Sequence, residues 1–202
     1  MKKPVIHVII ASTRKNRRGP VVAQWVLKVA QANTKAKFEL VDLMDWQMPN
    51  YNEVAGPKGL KGVYETQGAK EWAAKVKEAD GFIIVTPEYN HGYPGALKNC
   101  LDYVYDEWNN KPVAFVSYGG MAGGVRAVEQ LRLVSVEMQM ATIREEVNIP
   151  RIAQAFTPEG QPVEQALNKK AELVIEQLLW WTFALKHARE HGVSECCMHG
   201  DD

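Results

Sequence analysis

Three segments gather residue types able to hold a ligand. The first is Ala11-Ser-Thr-Arg-Lys-Asn-Arg-Arg-Gly-Pro20, which follows an apolar run and precedes a helix-spaced stretch. Free N–H groups and the positive end of a helix dipole favour an anion at such a junction. Ser12 and Thr13 offer hydroxyls, and Arg14, Arg17 and Arg18 can make charge-assisted bonds to phosphate. A solvated basic loop, or a weak nucleic-acid patch, would use the same residues. The segment lacks the Gly-Lys-Ser/Thr of a Walker loop and the G-x-G-x-x-G of a dinucleotide turn. The second segment, Thr86-Pro-Glu-Tyr-Asn-His-Gly-Tyr-Pro-Gly95, places two tyrosines, a glutamate, an asparagine and a histidine on one turn. Aromatic and amide groups on a rigid turn can pack against a planar ring and read its polar edge. The plainer reading makes Tyr89 and Tyr93 half-buried tyrosines and His91 a surface histidine. The third, Ser117-Tyr-Gly-Gly-Met-Ala-Gly-Gly-Val-Arg126, has four glycines that let backbone N–H groups approach a ligand.

The elements that position these loops alternate along the chain. β-Branched runs at Val5 to Ile10, Phe38 to Val41, Phe82 to Val85, Val113 to Val116 and Thr142 to Ile149 read as buried strands. Helical spacing runs through Pro20 to Ala32, Ala69 to Ala79, Ala96 to Tyr105, Gly124 to Met138 and Val163 to about Glu190. Trp72, Ala73, Val76 and Ala79 share one face, and Pro20 stands in a first helical turn, where proline is tolerated. Repeated β-α order with apolar strands predicts a parallel sheet covered on both faces. In such a sheet ligands bind beyond the carboxyl ends of the strands, which is where all three segments fall. Trp46 to Gly68, rich in Pro and Gly, reads as a long loop. Residues 1–190 are expected to form a single domain and 191–202 a tail.

Composition narrows the classes. The 202 residues carry 24 Lys plus Arg against 24 Asp plus Glu, so no net charge favours nucleic acid or an anionic membrane. The three cysteines make no disulfide framework, which points to a reducing, cytoplasmic setting. The first apolar run is too short for a signal core, and no stretch approaches the ~20 apolar residues of a membrane span. Cys196-Cys-Met-His199 lacks a tetrahedral ligand set, so no metal is expected there. Trp180, Trp181 and Phe183 are expected in the core, since aromatics at helical spacing usually pack.

A phosphate loop beside two ring-shaped loops describes an elongated ligand, with FMN the natural candidate. Ser12-Thr-Arg with Gly19-Pro20, Thr86-Pro-Glu-Tyr-Asn90, Pro94-Gly-Ala-Leu-Lys-Asn99 and Ser117-Tyr-Gly-Gly120 resemble the NADPH-dependent FMN reductase family, most closely its quinone-, chromate- and azo-dye-reducing members. The resemblance implies a flavodoxin-like fold, with a five-stranded parallel sheet in the order 2-1-3-4-5 and non-covalent FMN. It implies that Ser12, Arg14, Arg18, Gly19 and Pro20 hold the phosphate. Pro87, Glu88, Tyr89 and Asn90 would line the isoalloxazine, largely through the backbone. Ser117, Tyr118, Gly119, Gly120 and Gly123 would present the opposite edge. Many relatives read Gly-Ser-x-Arg-x-x-Ser in the first loop; here Ala11 replaces the Gly and Arg17 the later Ser, leaving open whether Arg17 or Arg18 faces the phosphate.

The implied activity is hydride transfer from NADPH or NADH through FMN to a quinone-like acceptor, with no protein acid, base or nucleophile. The implied assembly is a homodimer or homotetramer with the helix after Asn90 near the interface; Tyr93, Leu97, Leu101 and Val104 give that helix an apolar side that could equally pack on the sheet. The 46–68 loop could edge the flavin pocket of its own chain or of a partner. A flavodoxin-type electron carrier is the second class, although such carriers are typically acidic, and a non-enzymatic flavin-fold regulator is the third.

Overall fold

The computed structural model describes residues 2–46 and 48–192. Its elements run β1 (Val5–Ile10), α1 (Gly19–Gln31), β2 (Lys37–Asp42), α2 (Gln67–Glu78), β3 (Gly81–Pro87), α3 (Gly95–Asp102), β4 (Pro112–Tyr118), α4 (Val125–Glu137), β5 (Ala141–Ile149) and α5 (Ala166–His191). All four strand pairings are parallel, in the order β2-β1-β3-β4-β5. This is the flavodoxin-like arrangement expected. The chain steps outward from β1 to β2, then returns to lay β3 on the other side of β1, so a crevice opens where β1 and β3 end.

β3 and β4 are buried at every position, as strands covered on both faces must be. Alternate residues feed two cores. Ile9, Phe82, Ile84 and Phe115 meet α2, α3 and α4 on one face, and Ile6, Val8, Ile83 and Val116 meet α1 and α5 on the other. On the first face, edge-to-face contacts link Trp46 to Trp72, Trp72 to Trp108 and Trp108 to Phe82, at centroid distances of 5.1, 6.0 and 4.7 Å. The Trp72 indole donates to the Cys100 carbonyl at 2.7 Å, so this large ring is buried without an orphan N–H.

One expectation is corrected here. The apolar stripe of α5 consists of Leu167, Ala171, Val174, Ile175, Leu178 and Leu179. Trp180, Trp181 and Phe183 lie off that stripe and are exposed at 67%, 37% and 40%, because a single helix face fits against the sheet. Leu97 and Leu101 of α3, with Val104 just beyond it, are buried in the core, the sheet-packing alternative of the two left open. The long segment before α2 contains 3₁₀ turns at Leu43–Asp45 and Pro57–Leu60. Asn99 fastens it to α3 by accepting from the Tyr51 amide and donating to the Pro49 carbonyl, both at 2.8 Å. Tyr64 adds a bond to Glu107 at 2.5 Å. Except for Gly192, the 192–202 part of the expected tail lies outside the described residues, while His191 still belongs to α5.

Asp80 clasps the amino ends of the sheet to α5. It accepts from the Val5 amide at 3.0 Å, from Lys186 at 2.9 Å and from Arg189 at 2.9 Å. Burial opposes ionisation of this carboxyl, but the Lys186 and Val5 hydrogen bonds and the charges of Lys186 and Arg189 outweigh it and hold its pKa below the ordinary value. A depressed folded pKa adds stability above the unfolded pKa, and that stability is lost as pH falls through the folded one. Asp80→Asn should therefore lower the urea-unfolding free energy by about 2 kcal/mol at neutral pH. The gap from the parent should shrink in acid; a gap independent of pH would contradict the assignment.

Candidate functional site

β1 is extended by one bond, from the Ala11 amide to the Val85 carbonyl at 3.0 Å. Beyond it, among the described residues, no group accepts from the amides of Ser12 through Arg18. Side chains hold this loop open instead. The Arg17 guanidinium grips Asp42, at the end of β2, with two bonds of 2.7 and 2.5 Å, and also donates to the Ser12 carbonyl. Ser12 is fully buried and accepts from the Tyr118 hydroxyl at 3.2 Å. Gly19 fills the remaining space: a Cβ there would stand 2.4 Å from Ser12 Oγ and 2.8 Å from Ile10 Cγ2. Helix α1 begins at this point with Arg18 as its N-cap and no side-chain cap, so its positive end faces the loop. Arg14 and Arg18 are exposed beside it. The structure thus separates the two arginines the sequence left open: Arg17 is engaged by Asp42 and Arg18 is exposed.

Pro87 closes β3, and the Glu88 amide donates to the Tyr118 carbonyl at 3.1 Å. Tyr89 and Gly92 exchange two backbone bonds of 2.8 and 3.0 Å around Asn90 and His91, whose φ angles of 50° and 67° match a type I′ turn. Tyr89, Asn90 and His91 are exposed at the rim. The Glu88 carboxylate turns inward, accepting from Arg126 Nε at 2.7 Å and from the Arg126 amide at 3.2 Å. It caps the first turn of α4, which leaves the backbone as this residue's contribution to the cleft.

The glycine loop after β4 is braced from below. Ser117, fully buried, donates from Oγ to the Gly123 carbonyl at 2.8 Å and accepts from Asn148 at 3.0 Å. The Gly119 amide donates to Ile149, and the Gly120 and Gly119 carbonyls accept from Arg151 and Ile152. Gly124 has φ +93° and lies so close to Ser117 that an added Cβ would be 2.6 Å away. The amides of Gly120, Met121 and Ala122 meet no acceptor among the described residues. Burial pushes the Tyr118 phenol up to about 12, with the Ser12 hydrogen bond pulling the other way, so it stays a neutral donor at physiological pH.

All the sequence-predicted site residues therefore meet at the carboxyl ends of β1, β3 and β4, in two kinds. Ser12, Gly19, Pro87, Glu88, Ser117, Tyr118 and Gly123 tie the loops to one another or to the sheet. Arg14, Arg18, Tyr89, Asn90 and Gly120 are exposed, and Pro20 and Gly119 are half-buried between them. Asp42, Arg126 and Asn148 belong to the same constellation and were not singled out from the sequence, and Gly124, one of the four glycines of the third segment, joins them. Their shared signal is position, at strand ends or at the start of α4. The arrangement fits a phosphorylated, planar cofactor. It offers unpaired amides and cations at one end, an aromatic turn, and a second set of unpaired amides on a loop without side-chain bulk.

Residues 4–154 match the family model described as NADPH-dependent FMN reductase. An NAD(P)H-dependent FMN reductase of Schizosaccharomyces pombe is 42% identical over 150 residues, covering 73% of this chain and 74% of that one. A quinone reductase of Pseudomonas putida is 30% identical over 141 residues, covering 67% and 71%. Among solved structures, the flavoenzyme NAD(P)H:(acceptor) oxidoreductase FerB from Paracoccus denitrificans superposes with a TM-score of 0.71 at 22% identity, covering 90% of this chain and 98% of that one, a likeness of fold. The chain belongs to the NADPH-dependent FMN reductase family. It is a flavin-dependent NAD(P)H oxidoreductase.

Gly19→Ala should cost about 2 kcal/mol or more in stability, because its methyl would overlap Ser12 and Ile10. Gly120→Ala, whose methyl meets nothing within 4 Å, should stay within about 0.5 kcal/mol of the parent. Thermal unfolding of both variants checks the pair, and equal midpoints would refute the close approach of α1 to Ser12.

Proposed function

We propose that this enzyme delivers reducing equivalents from NAD(P)H to a quinone-class acceptor, with FMN held across the three loops, and that it works as a homo-oligomer in the cytoplasm. The observation that carries this reading is the run of unpaired amides from Ser12 to Arg18 at the positive end of α1. Those amides, with Arg14 and Arg18, would hold the cofactor phosphate, while Arg17, Ser12, Gly19 and Pro20 keep the loop in shape. The Pro87–Glu88 backbone, Tyr89 and Asn90 would line one side of the ring. Gly119 and Gly120 would lie along its edge, supported by Ser117, Tyr118 and Gly123. The N–H groups of Gly120, Met121 and Ala122 would stabilise negative charge developing there. When bound, FMN supplies the hydride acceptance and electron delivery itself.

The protein's part is to bind, orient and bias charge. The Tyr118 phenol, pushed up to about 12, stays protonated near neutrality and donates its hydrogen bond to Ser12 Oγ. The quinone class rests on relatives: the Pseudomonas putida protein and an Arabidopsis thaliana NADPH:quinone oxidoreductase that is 31% identical over 118 residues.

Anaerobic mixing of the FMN-loaded protein with NADPH should bleach the flavin absorbance within seconds, and a benzoquinone should restore it with continuing turnover. Bleaching with no return on quinone addition would refute the proposed acceptor. A bound flavin that NADPH fails to reduce would overturn the oxidoreductase account.

A further inference from the structure

A second group of ligand-type side chains lies on the face of the sheet covered by α2, away from the cleft. His7 of β1 stands in register with Glu39 of β2, and Glu78 at the end of α2 comes down beside them. The His7 side chain is 2% exposed, and its Nε2 has no hydrogen-bond partner among the described residues. That nitrogen points at two carboxylates, 3.7 Å from Glu39 Oε2 and 4.0 Å from Glu78 Oε2, both too far for a hydrogen bond. One ligand atom from each residue lies within 4.8 Å of the other two. Burial and the nearby Lys75 charge push the ring's pKa down to about 4, so it carries a free lone pair or an unused N–H at neutral pH.

A buried ring nitrogen without a partner costs free energy; Trp108 Nε1 and Ser135 Oγ are the other such atoms among the described residues, and of the three only His7 Nε2 faces carboxylates. Lys75 explains why the carboxylates are content while the imidazole is not. Its ammonium lies 2.9 Å from Glu39 Oε2 and 2.6 Å from Glu78 Oε2, and Lys37 pairs with the other Glu39 oxygen. An ammonium only donates hydrogen bonds, so it neutralises both carboxylates. A divalent ion in the same place would satisfy all three groups at once. One imidazole and two carboxylates form a borderline donor set that suits Zn²⁺ and its Co²⁺ and Ni²⁺ analogues, whereas Ca²⁺ and Mg²⁺ call for oxygen alone.

We propose that His7, Glu39 and Glu78 form a binding site for a Zn²⁺-class ion, with Lys75 as a built-in competing cation. Ligand atoms around tetrahedral Zn²⁺ lie about 3.3–3.5 Å apart, given bonds of about 2.0–2.1 Å. The His7–Glu39 and His7–Glu78 separations of 3.7 and 4.0 Å close to that by under about 1 Å, with Glu78, 55% exposed, able to move once Lys75 releases it. The Lys75 stem is flexible and can carry its ammonium into solvent. Glu78 sits at the water-facing side, so water supplies the fourth ligand. The bound ion joins the edge strand β2 to β1 and α2, and binding only the folded state it stabilises the sheet by mass action.

The test is calorimetric titration of the FMN-loaded, full-length protein with Zn²⁺ in a non-chelating buffer. The parent, Lys75→Met and Glu78→Gln are compared, each carrying Cys196→Ser and Cys197→Ser so that no adjacent thiol pair competes for the metal. Lys75→Met should bind at least tenfold more tightly than the parent, since the competing cation is gone. Glu78→Gln should bind at least tenfold more weakly. Co²⁺ bound to Lys75→Met should show visible d–d bands without thiolate charge-transfer absorption. Identical isotherms for all three proteins would place the ion elsewhere, for instance on the His187–His191 pair of α5, and overturn the site. Absence of binding in Lys75→Met would overturn it as well.

Discussion

A backbone amide that leaves water must find an acceptor, and the loop between β1 and α1 is built so that its own amides cannot. Arg17 pulls the loop toward Asp42, Ser12 is pinned beneath it by Tyr118, and Gly19 lets α1 begin within contact of both. The N–H groups of Ser12 through Arg18 meet no protein acceptor among the described residues, at the end of a helix that is already positive. In the proposed reading a phosphate completes this arrangement. The loops after β3 and β4 open beside it, because the strand order places β1, β3 and β4 side by side.

The division of labour within the site is physical. Side chains with the most distinctive chemistry, Glu88, Tyr118, Ser117 and Arg17, are spent on one another and on backbone groups. Glu88 joins the second loop to α4, and Tyr118 joins the third loop to the first. What faces the cleft is mostly backbone and a few rim side chains. Such a site would suit a cofactor that brings its own chemistry, in keeping with a family whose members bear the names of FMN reductases and quinone reductases.

The strands were legible because β1, β3 and β4 are buried on both faces, so their apolar runs are nearly unbroken; the placement of the three ligand loops followed from β-α order alone. The internal wiring was not legible. Asp42 and Arg17 are 25 residues apart and Glu88 and Arg126 are 38 apart, and no local spacing marks either pair. Gly124 and Gly123 look alike in sequence, yet only the packed loop shows that Ser117 leaves no room for a Cβ at Gly124. The α5 aromatics misled for the opposite reason. Their spacing is helical, but the sheet accepts one stripe of that helix, and Leu178 and Leu179 already occupy it.

If the unpaired amides of the first loop hold a phosphate, FMN and riboflavin must differ sharply in affinity for the same protein. The two ligands share the ring and differ by the phosphate group. Calorimetric titration should show FMN binding at least a hundredfold more tightly than riboflavin, the equivalent of about 2.7 kcal/mol. Equal affinities would mean that the ring alone anchors the cofactor and that the amides of Ser12 through Arg18 serve some other purpose.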